Sequence, residues 1–438
     1  MSRPHSYRSR SSRSRPAQNS GRPPQAAQSR LAIRIGQVQR LLDDMLQWEY
    51  PADAVLSRWM RDNRKAGARD RAEVADAAFD VLRHLRRYRH LAESGSGPAN
   101  RRLAILGLSA TIDNVRLAAA LSSQEQQWLE RVRGVPVDPM PRALRYSMPD
   151  WLEQRLGELP DADALMAALN ASAPLDLRVN LLKADRDTLL SHLRNTLPAS
   201  ADPQPTPYSP WGIRLQGRPP VNQWPQFKNG EIEVQDEGSQ ILAALVAPRR
   251  GEMVIDYCAG AGGKTLALGA MMRSTGRLYA FDVHAGRLAS ARPRFARSGL
   301  SNIVPVVISE QGDKRVKRLH NKAHRVLVDA PCTGVGTLRR NPDLKWRMNP
   351  DSVANLIATQ AQILAQASRC VAPGGRLVYA TCSLLPEENQ QQIHRFLAAN
   401  KGFTLVDAGT VLADRFPRLE ARDSFLQLRP DHHGTDGF

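Results

Sequence analysis

Two of the four cysteines in this chain stand where a nucleophile would be useful. Cys332 lies in VDAPCTGVGTLRR and Cys382 in VYATCSLLPEEN, each just past an apolar, strand-like run. A thiolate adds to an electrophilic carbon, divides one hard step into easier ones and then leaves. Asp329, in the same run as Cys332, can exchange a proton with a reacting group or hydrogen-bond to it as charge develops. Arg339, Arg340 and Lys345 follow Cys332 and are expected to favour a thiolate there. Cys258 and Cys370 read as small buried core side chains. No CxxC pair is present, so the spacing fits no zinc site.

A second set of residues suits a cofactor. DYCAGAGGKT, residues 256–265, follows the apolar run MVI. Gly260, Gly262 and Gly263 allow a tight turn and close approach of the backbone to a ligand. Such a turn can hold a dinucleotide, a phosphate or an adenosyl group, and it matches neither GxxxxGK[ST] nor GxGxxG. Asp256 at the strand end suits a cation, such as the amino group of S-adenosyl-L-methionine. Asp282, in YAFDV, can accept hydrogen bonds from two ribose hydroxyls; its ordinary alternative is a helix cap. Asp313, in QGDKR, can receive an adenine amino group.

These motifs need a scaffold that gathers strand ends. From residue 241 to 438, apolar strands alternate with helical stretches, which implies a parallel sheet covered on both faces. Ligands then bind beyond the carboxyl ends of the strands, where every motif above falls. Residues 140–240 mix signals: LDLRVNLLKA as a strand, DRDTLLSHLRNTL as a capped helix, PQPTPYSPWG as an irregular connection and WGIRLQG as a strand. They suit a small α+β domain able to grip RNA. Residues 31–135 are helical by spacing: Leu31, Ile35, Val38, Leu41, Leu42 and Leu46 form one face, and Ala72, Ala75, Phe79, Leu82 and Leu85 another. Arg83, Arg86, Arg87 and Arg89 are expected on the polar face.

Residues 1–30 carry seven arginines and no acid, so a disordered basic tail is expected there, either dispensable or touching phosphates. Overall charge is +18, from 61 basic and 43 acidic residues in 438, which favours a polyanionic partner. The basic start has no apolar stretch behind it, so no secretory signal is expected. No run is long and apolar enough for a membrane span. So few cysteines in so long a chain argue against a disulfide framework. A cytoplasmic protein with free thiols, no metal and no membrane is expected.

The chain resembles the NOP2/NSUN/Sun (RsmB-like) family of S-adenosylmethionine-dependent RNA cytosine-C5 methyltransferases, bacterial ribosomal RNA type. DYCAGAGGKT, DAPCTGVGTLRRNPDLKW and YATCSLLPEENQ match its central motifs, with Ala261 where the family commonly has Pro. PLDLRVNLLK and FKNGEIEVQDEGSQ extend the likeness upstream, and GARDRAEVADAAFDVLRHLRR resembles a NusB-like helical domain. The resemblance implies an α/β, Rossmann-like class I methyltransferase domain at 241–438. A small α+β RNA-binding domain at 140–240 and an all-helical NusB-like domain at 31–135 would precede it. It implies Cys382 as nucleophile, Cys332 as the thiol that assists product release, and Asp329 as the acid on the target base. Cofactor contacts would come from Asp256, Cys258, Ala259, Gly260, Gly262, Gly263, Lys264, Asp282, Arg287, Asp313 and Asp329. Partners would be unassembled ribosomal RNA, with the small-subunit RNA as leading candidate, and the expected state is a monomer. The family also continues after HGTDGF with a Phe and a short apolar strand; without that strand, unpaired backbone is expected in the sheet.

The chemistry explains the cysteine. Cytosine C5 is a poor nucleophile toward a methyl sulfonium until a thiolate adds to C6 and makes C5 enamine-like; C5 then attacks the methyl group, a base removes the C5 proton and the thiol leaves by elimination. A DNA cytosine methyltransferase would also carry a Pro-Cys motif, but the additional TCS motif favours RNA. Amino-methylating enzymes carry [DN]PP[YFW], where this chain has DAPC. An oxidoreductase fails on the glycine pattern. A non-catalytic RNA-binding or ribosome assembly factor would fit the basic tail, but would be expected to lose at least one of Asp256, Asp329, Cys332 and Cys382.

Overall fold

The computed structural model describes residues 24–419 and 424–438. Residues 1–23 of the expected tail lie outside it, and a helix, Pro24–Met45, already begins at Pro24. Helices then run without interruption by strands to Ser123–Arg133. Leu31, Ile35, Val38, Leu41, Leu42 and Met45 line the buried face of the first helix, as the spacing predicts. In the helix Ala68–Arg83 the expected Ala75 and Leu82 are buried, as is Leu85 just after it, but the buried seam is broader than the spacing predicts. Val74, Ala78 and Val81 are buried too, whereas Ala72 is exposed and Phe79 half-buried. Small alanines let two adjacent faces pack, with the helix Ala99–Thr111 as a neighbour.

The arginines expected on the polar face mostly serve as struts. Arg83 is buried and donates to the Arg339 carbonyl at 2.8 Å. Arg86 reaches the Met148 carbonyl at 2.8 Å and Asp150 at 2.6 Å, and Arg87 the Arg145 carbonyl at 3.0 Å. Arg89 alone of the four is fully exposed.

A four-stranded antiparallel sheet follows, built from β1 (Leu175–Val179), β2 (Gln204–Pro205), β3 (Gly212–Leu215) and β4 (Ile232–Val234) in the order β2-β3-β1-β4. The helix Arg186–Thr196, capped by Asp185, packs Leu189, Leu190 and Leu193 on it. The stretch before β1 packs against the cysteine-bearing loops. Met148, Leu152, Leu156, Leu165, Met166 and Leu169 pack with Val335, Leu338, Leu384 and Leu385, the loops that carry the two cysteine motifs.

The third layer is a five-stranded parallel sheet: β5 (Met253–Asp256), β6 (Arg277–Asp282), β7 (Ile303–Val307), β8 (Ala323–Asp329) and β9 (Val371–Ala380), ordered β7-β6-β5-β8-β9. The order turns around between β5 and β8, so the loops after these strands diverge and leave a crevice. The doubly covered core strands are continuous apolar runs, as in VLV of β8. Among the described residues β9 is the edge on the β8 side, and the backbone of Phe438 pairs with that of Leu428 (2.9 and 3.0 Å). The preceding HGTDGF stretch lies against the loop after β8: Gly437 donates to the Gly336 carbonyl at 2.8 Å.

A Cβ on Gly336 would sit 2.2 Å from the Gly437 carbonyl oxygen. Gly336→Ala should therefore destabilise the protein by about 1–3 kcal/mol in chemical unfolding, since backbone must shift. Gly402→Ala, with nothing within 4 Å of the new methyl, should stay within about 0.5 kcal/mol.

Candidate active site

β5, β6 and β8 end on Asp256, Asp282 and Asp329, so the sheet itself delivers three carboxylates to one rim. Asp329 lies opposite Ala380 in the β8–β9 ladder. The chain leaves both strands side by side, and the two thiols meet: Cys332 Sγ and Cys382 Sγ are 3.3 Å apart. Gly336 N–H donates to the Cys382 carbonyl at 2.9 Å and ties the loops together. The Cys332 thiol is held well above its ordinary pKa, first by its contact with Cys382, then by burial and by the charge of Glu388.

Lys264, expected among the cofactor residues, ion-pairs with Asp329 at 2.6 Å. Burial alone would lower its pKa, but Asp329 and, more weakly, Cys382 raise it above the ordinary lysine value. Its ammonium also lies 5.5 Å from the centre of the Phe438 ring. The lysine is carried in by the helix Gly263–Met271, whose preceding residue, Gly262, has φ 80° and no room for a side chain, with Phe295 Cε1 2.4 Å from an added Cβ. The cation beside the cysteines is therefore Lys264, and not Arg339, Arg340 or Lys345. Arg339 and Arg340 both pair with Asp236 and Asp436, and buried Lys345 donates to the Arg83 carbonyl (2.6 Å) and Asn170 Oδ1 (2.8 Å). Nearness in sequence misled there, because the chain turns away from the thiol right after Thr337.

Asp256 is fully buried. Thr265 donates to its Oδ2 at 2.7 Å, while Oδ1 has no hydrogen-bond partner among the described residues. Burial pushes its carboxyl up to about 7 despite the Thr265 bond, and Asp329 and Asp282 push the same way. An unpartnered buried carboxylate oxygen fits a cationic ligand group, such as the amino group of S-adenosyl-L-methionine. Asp282 accepts from Gly260 N–H (2.8 Å) and His284 N–H (2.7 Å), so it braces the glycine turn across from Asp256; it does not cap the following helix, whose N-cap is His284 with no side-chain cap bond. Ala259 N–H bonds to the Phe281 carbonyl at 2.8 Å, which fixes the same turn. Gly263 adjoins this turn, and exposed Arg287 stands in the first turn of the helix Ala285–Ser298. Asp313 is occupied: it accepts from Ser309 N–H (3.0 Å), Arg315 N–H (2.7 Å) and the Arg315 guanidinium (2.6 Å). That guanidinium holds its carboxyl well below the usual carboxylate range. Cys370 is buried as expected; Cys258 is only half-buried, at the start of the cofactor turn. Sequence reasoning assigned no role to Thr265, Phe438 or Glu388; the PEEN stretch behind Cys382 was the available signal for the last.

A parallel sheet with this order, an acid at the end of each central strand and a paired-thiol site define a Rossmann-like methyltransferase. Residues 243–438 match a family model described as 16S rRNA methyltransferase RsmB/F, and residues 148–222 match the ferredoxin-like domain of RsmF/B-like methyltransferases. Over 302 residues the chain is 35% identical to the probable ribosomal RNA small subunit methyltransferase B of Synechocystis sp., covering 67% of this chain and 66% of that protein. A similar match, 37% over 298 residues, is to ribosomal RNA small subunit methyltransferase B of Sodalis glossinidius, covering 67% and 65%. The alignments thus span slightly under two thirds of these relatives. The crystal structure of PH0851 shares the fold over 95% of this chain and 98% of its own, with TM-score 0.73 and 24% identity. A methyltransferase homologue from Pyrococcus horikoshii matches with TM-score 0.55 and 28% identity over 68% of this chain and 95% of its own. The chain belongs to the RsmB/RsmF-like family of ribosomal RNA cytosine-C5 methyltransferases.

Asp256 must ionise to hold a cation, and its pKa lies at about 7. Binding of S-adenosylhomocysteine, which keeps the amino group, should tighten as pH rises from 6 to 8, by up to roughly tenfold per unit below the pKa. Calorimetric titration checks this, and Asp256→Asn should flatten the profile. The apo protein should respond oppositely. Asp256 binds its proton more tightly folded than unfolded, so its contribution to stability falls as pH rises from the ordinary Asp value through about 7.

Proposed function

We propose that this protein is an RNA cytosine-C5 methyltransferase that forms 5-methylcytidine in small-subunit ribosomal RNA through a covalent bond between Cys382 and cytosine C6. The observation that carries the reading is the 3.3 Å contact between Cys332 and Cys382 beside the Lys264–Asp329 pair. A lone nucleophile needs no second thiol at this distance. Two thiols in one crevice suit a reaction in which one adds to the ring and the other serves the elimination.

The roles divide by environment. Cys382 lies close enough to the Lys264 ammonium for the two to interact electrostatically. Cys332 faces buried Glu388 and stays a thiol, fit to hold or hand over a proton. Asp329, kept in place by Lys264, is available to the N3 edge of the pyrimidine. S-adenosyl-L-methionine, held by Asp256, Asp282 and the turn 258–263, supplies an electrophilic methyl group when bound. The target base must leave its stack to enter, so unassembled cytoplasmic ribosomal RNA with an exposed loop is the substrate that fits. The net charge of +18 supports phosphate contacts around the crevice. The helical unit before the small sheet reads as the NusB-like domain of such an enzyme.

The test is transfer of a labelled methyl group to undermethylated ribosomal RNA, followed by nucleoside identification. The wild type should yield 5-methylcytidine. Cys382→Ala should lower the rate by roughly 10³-fold or more. Cys332→Ala should accumulate a covalent protein–RNA adduct visible in denaturing gels. RNA binding without any methylated nucleoside would turn the reading towards an assembly factor, and equal activity on DNA would remove the RNA assignment.

A further inference from the structure

Behind the two cysteines lies a buried polar node centred on Glu388, whose hydrogen bonds have no part in the reaction steps themselves. Glu388 is fully buried, in the short turn Pro386–Glu388 after the Cys382 motif. Its Oε1 accepts from Thr333 N–H at 2.9 Å and from Gln360 Nε2 at 2.9 Å; its Oε2 accepts from the Thr333 hydroxyl at 2.6 Å. Thr333 is the residue after Cys332. Its hydroxyl also lies 3.1 Å from that of Ser383, the residue after Cys382. Gln360, from the helix Pro350–Ser368, donates to the Pro331 carbonyl at 3.0 Å as well, so both neighbours of Cys332 are held. Tyr379 hydroxyl donates to the Glu388 carbonyl at 2.8 Å, anchoring the turn to β9. Thr333, Ser383, Gln360 and Glu388 are each 0% exposed.

We infer that Glu388 is a positioning residue that, through Thr333 and Gln360, holds the Cys332 loop against Cys382 and so sets the distance between the two thiols. This rests on the proposed two-thiol reaction for its purpose, but the geometry stands apart from it. A buried carboxylate that receives three hydrogen bonds from two different elements is expensive to maintain unless each bond is made. Two of these bonds come from Thr333, on one side of Cys332, and the third comes from Gln360, which also holds the Pro331 carbonyl on the other side. The charge of Glu388 has a second effect, because it disfavours a thiolate at Cys332 and keeps the two thiols chemically unequal.

Thiol chemistry reads both effects without RNA or cofactor. Diamide converts two neighbouring thiols to a disulfide and takes up both hydrogens as its hydrazine. In the wild-type protein the Cys332–Cys382 disulfide should form fast, as located by peptide mass spectrometry. Glu388→Ala should slow it by about tenfold or more, since displacement of one sulfur by an ångström is enough. Thr333→Val, which removes only the hydroxyl bonds, should slow it roughly threefold. Glu388→Gln keeps an oxygen acceptor and should fall between wild type and Glu388→Ala. In Glu388→Gln the pH profile of Cys332 alkylation should also move to lower pH, a shift that simple loss of packing would not give. Wild-type disulfide rates in Glu388→Ala and Thr333→Val, with an unmoved alkylation profile in Glu388→Gln, would overturn the inference. Should Glu388→Ala not fold, the Thr333→Val rate and the Glu388→Gln profile decide it alone. A wild type that forms no 5-methylcytidine but shows these thiol effects would sink the methylation reading and leave the role of Glu388 standing.

Discussion

Four charges packed together, three of them nearly buried and Arg340 partly so, hold this molecule in one arrangement. Arg339 and Arg340 follow the Cys332 motif, Asp236 opens the helix Glu237–Leu245, and Asp436 lies two residues before Phe438. Arg339 Nε bonds Asp436 Oδ1 and Arg340 Nε bonds Asp436 Oδ2, each at 2.6 Å; Asp236 Oδ1 accepts from both arginines at 3.2 and 2.9 Å. The carboxylates take further donors, Gly238 N–H and Asp436 N–H on Asp236. Arg340 also reaches the Pro174 carbonyl, just before β1, at 3.0 Å. Charges so buried are costly unless every one is matched, and loss of a single partner leaves a stranded charge worth several kcal/mol. The cluster therefore accepts one relative placement of the Cys332 loop, the small sheet and the C-terminal segment, and resists others.

The helical unit is bound to that same loop. Lys345 donates to the Arg83 carbonyl, Trp346 Nε1 to the Leu82 carbonyl at 2.7 Å, and Ala52 N–H to Asp343 at 3.2 Å. Burial pushes the Lys345 ammonium well below its ordinary pKa, helped by the nearby arginines, so this lysine acts as a hydrogen-bond strut and not as a surface charge. The run from Arg339 to Trp346 is thus a hub. One end pairs with Asp236 and Asp436, and the other is held by helices more than two hundred residues earlier in the chain. Basic residues that look available for a thiolate or for RNA when read in sequence are largely consumed in holding domains together.

The crevice has two halves with different electrostatics. On the β5 and β6 side, Asp256 and Asp282 present carboxylates around a glycine turn, suited to the polar end and ribose of a cationic cofactor. On the β8 and β9 side, the thiols meet above a buried polar network. Lys264 and Asp329 bridge the halves, since the lysine comes from the helix after β5 and the acid from the end of β8. That bridge follows from the strand order. β5 and β8 are adjacent in the sheet although about seventy residues separate them in the chain.

Much of this was written locally. Apolar strands punctuated by glycine, acids at strand ends and the two cysteine motifs are properties of short windows, and backbone periodicity and side-chain chemistry act over just such windows. They sufficed for the parallel α/β sheet, the rim on which Asp256, Asp282, Asp329, Cys332 and Cys382 stand, and the helical character of residues 31–135. The choice of partners was not local. Lys264 finds Asp329, Arg339 and Arg340 turn from Cys332 to Asp236 and Asp436, and Glu388 reaches back to Thr333. Each pairing depends on which strands lie side by side and which loops are buried together, and a charged side chain is satisfied by whatever the fold brings within reach. Short windows of residues fix the chemical groups and the strand ends that carry them; which cation faces the thiols and which carboxylate stands behind them is settled by the fold, because burial compels charged groups to find partners across the chain.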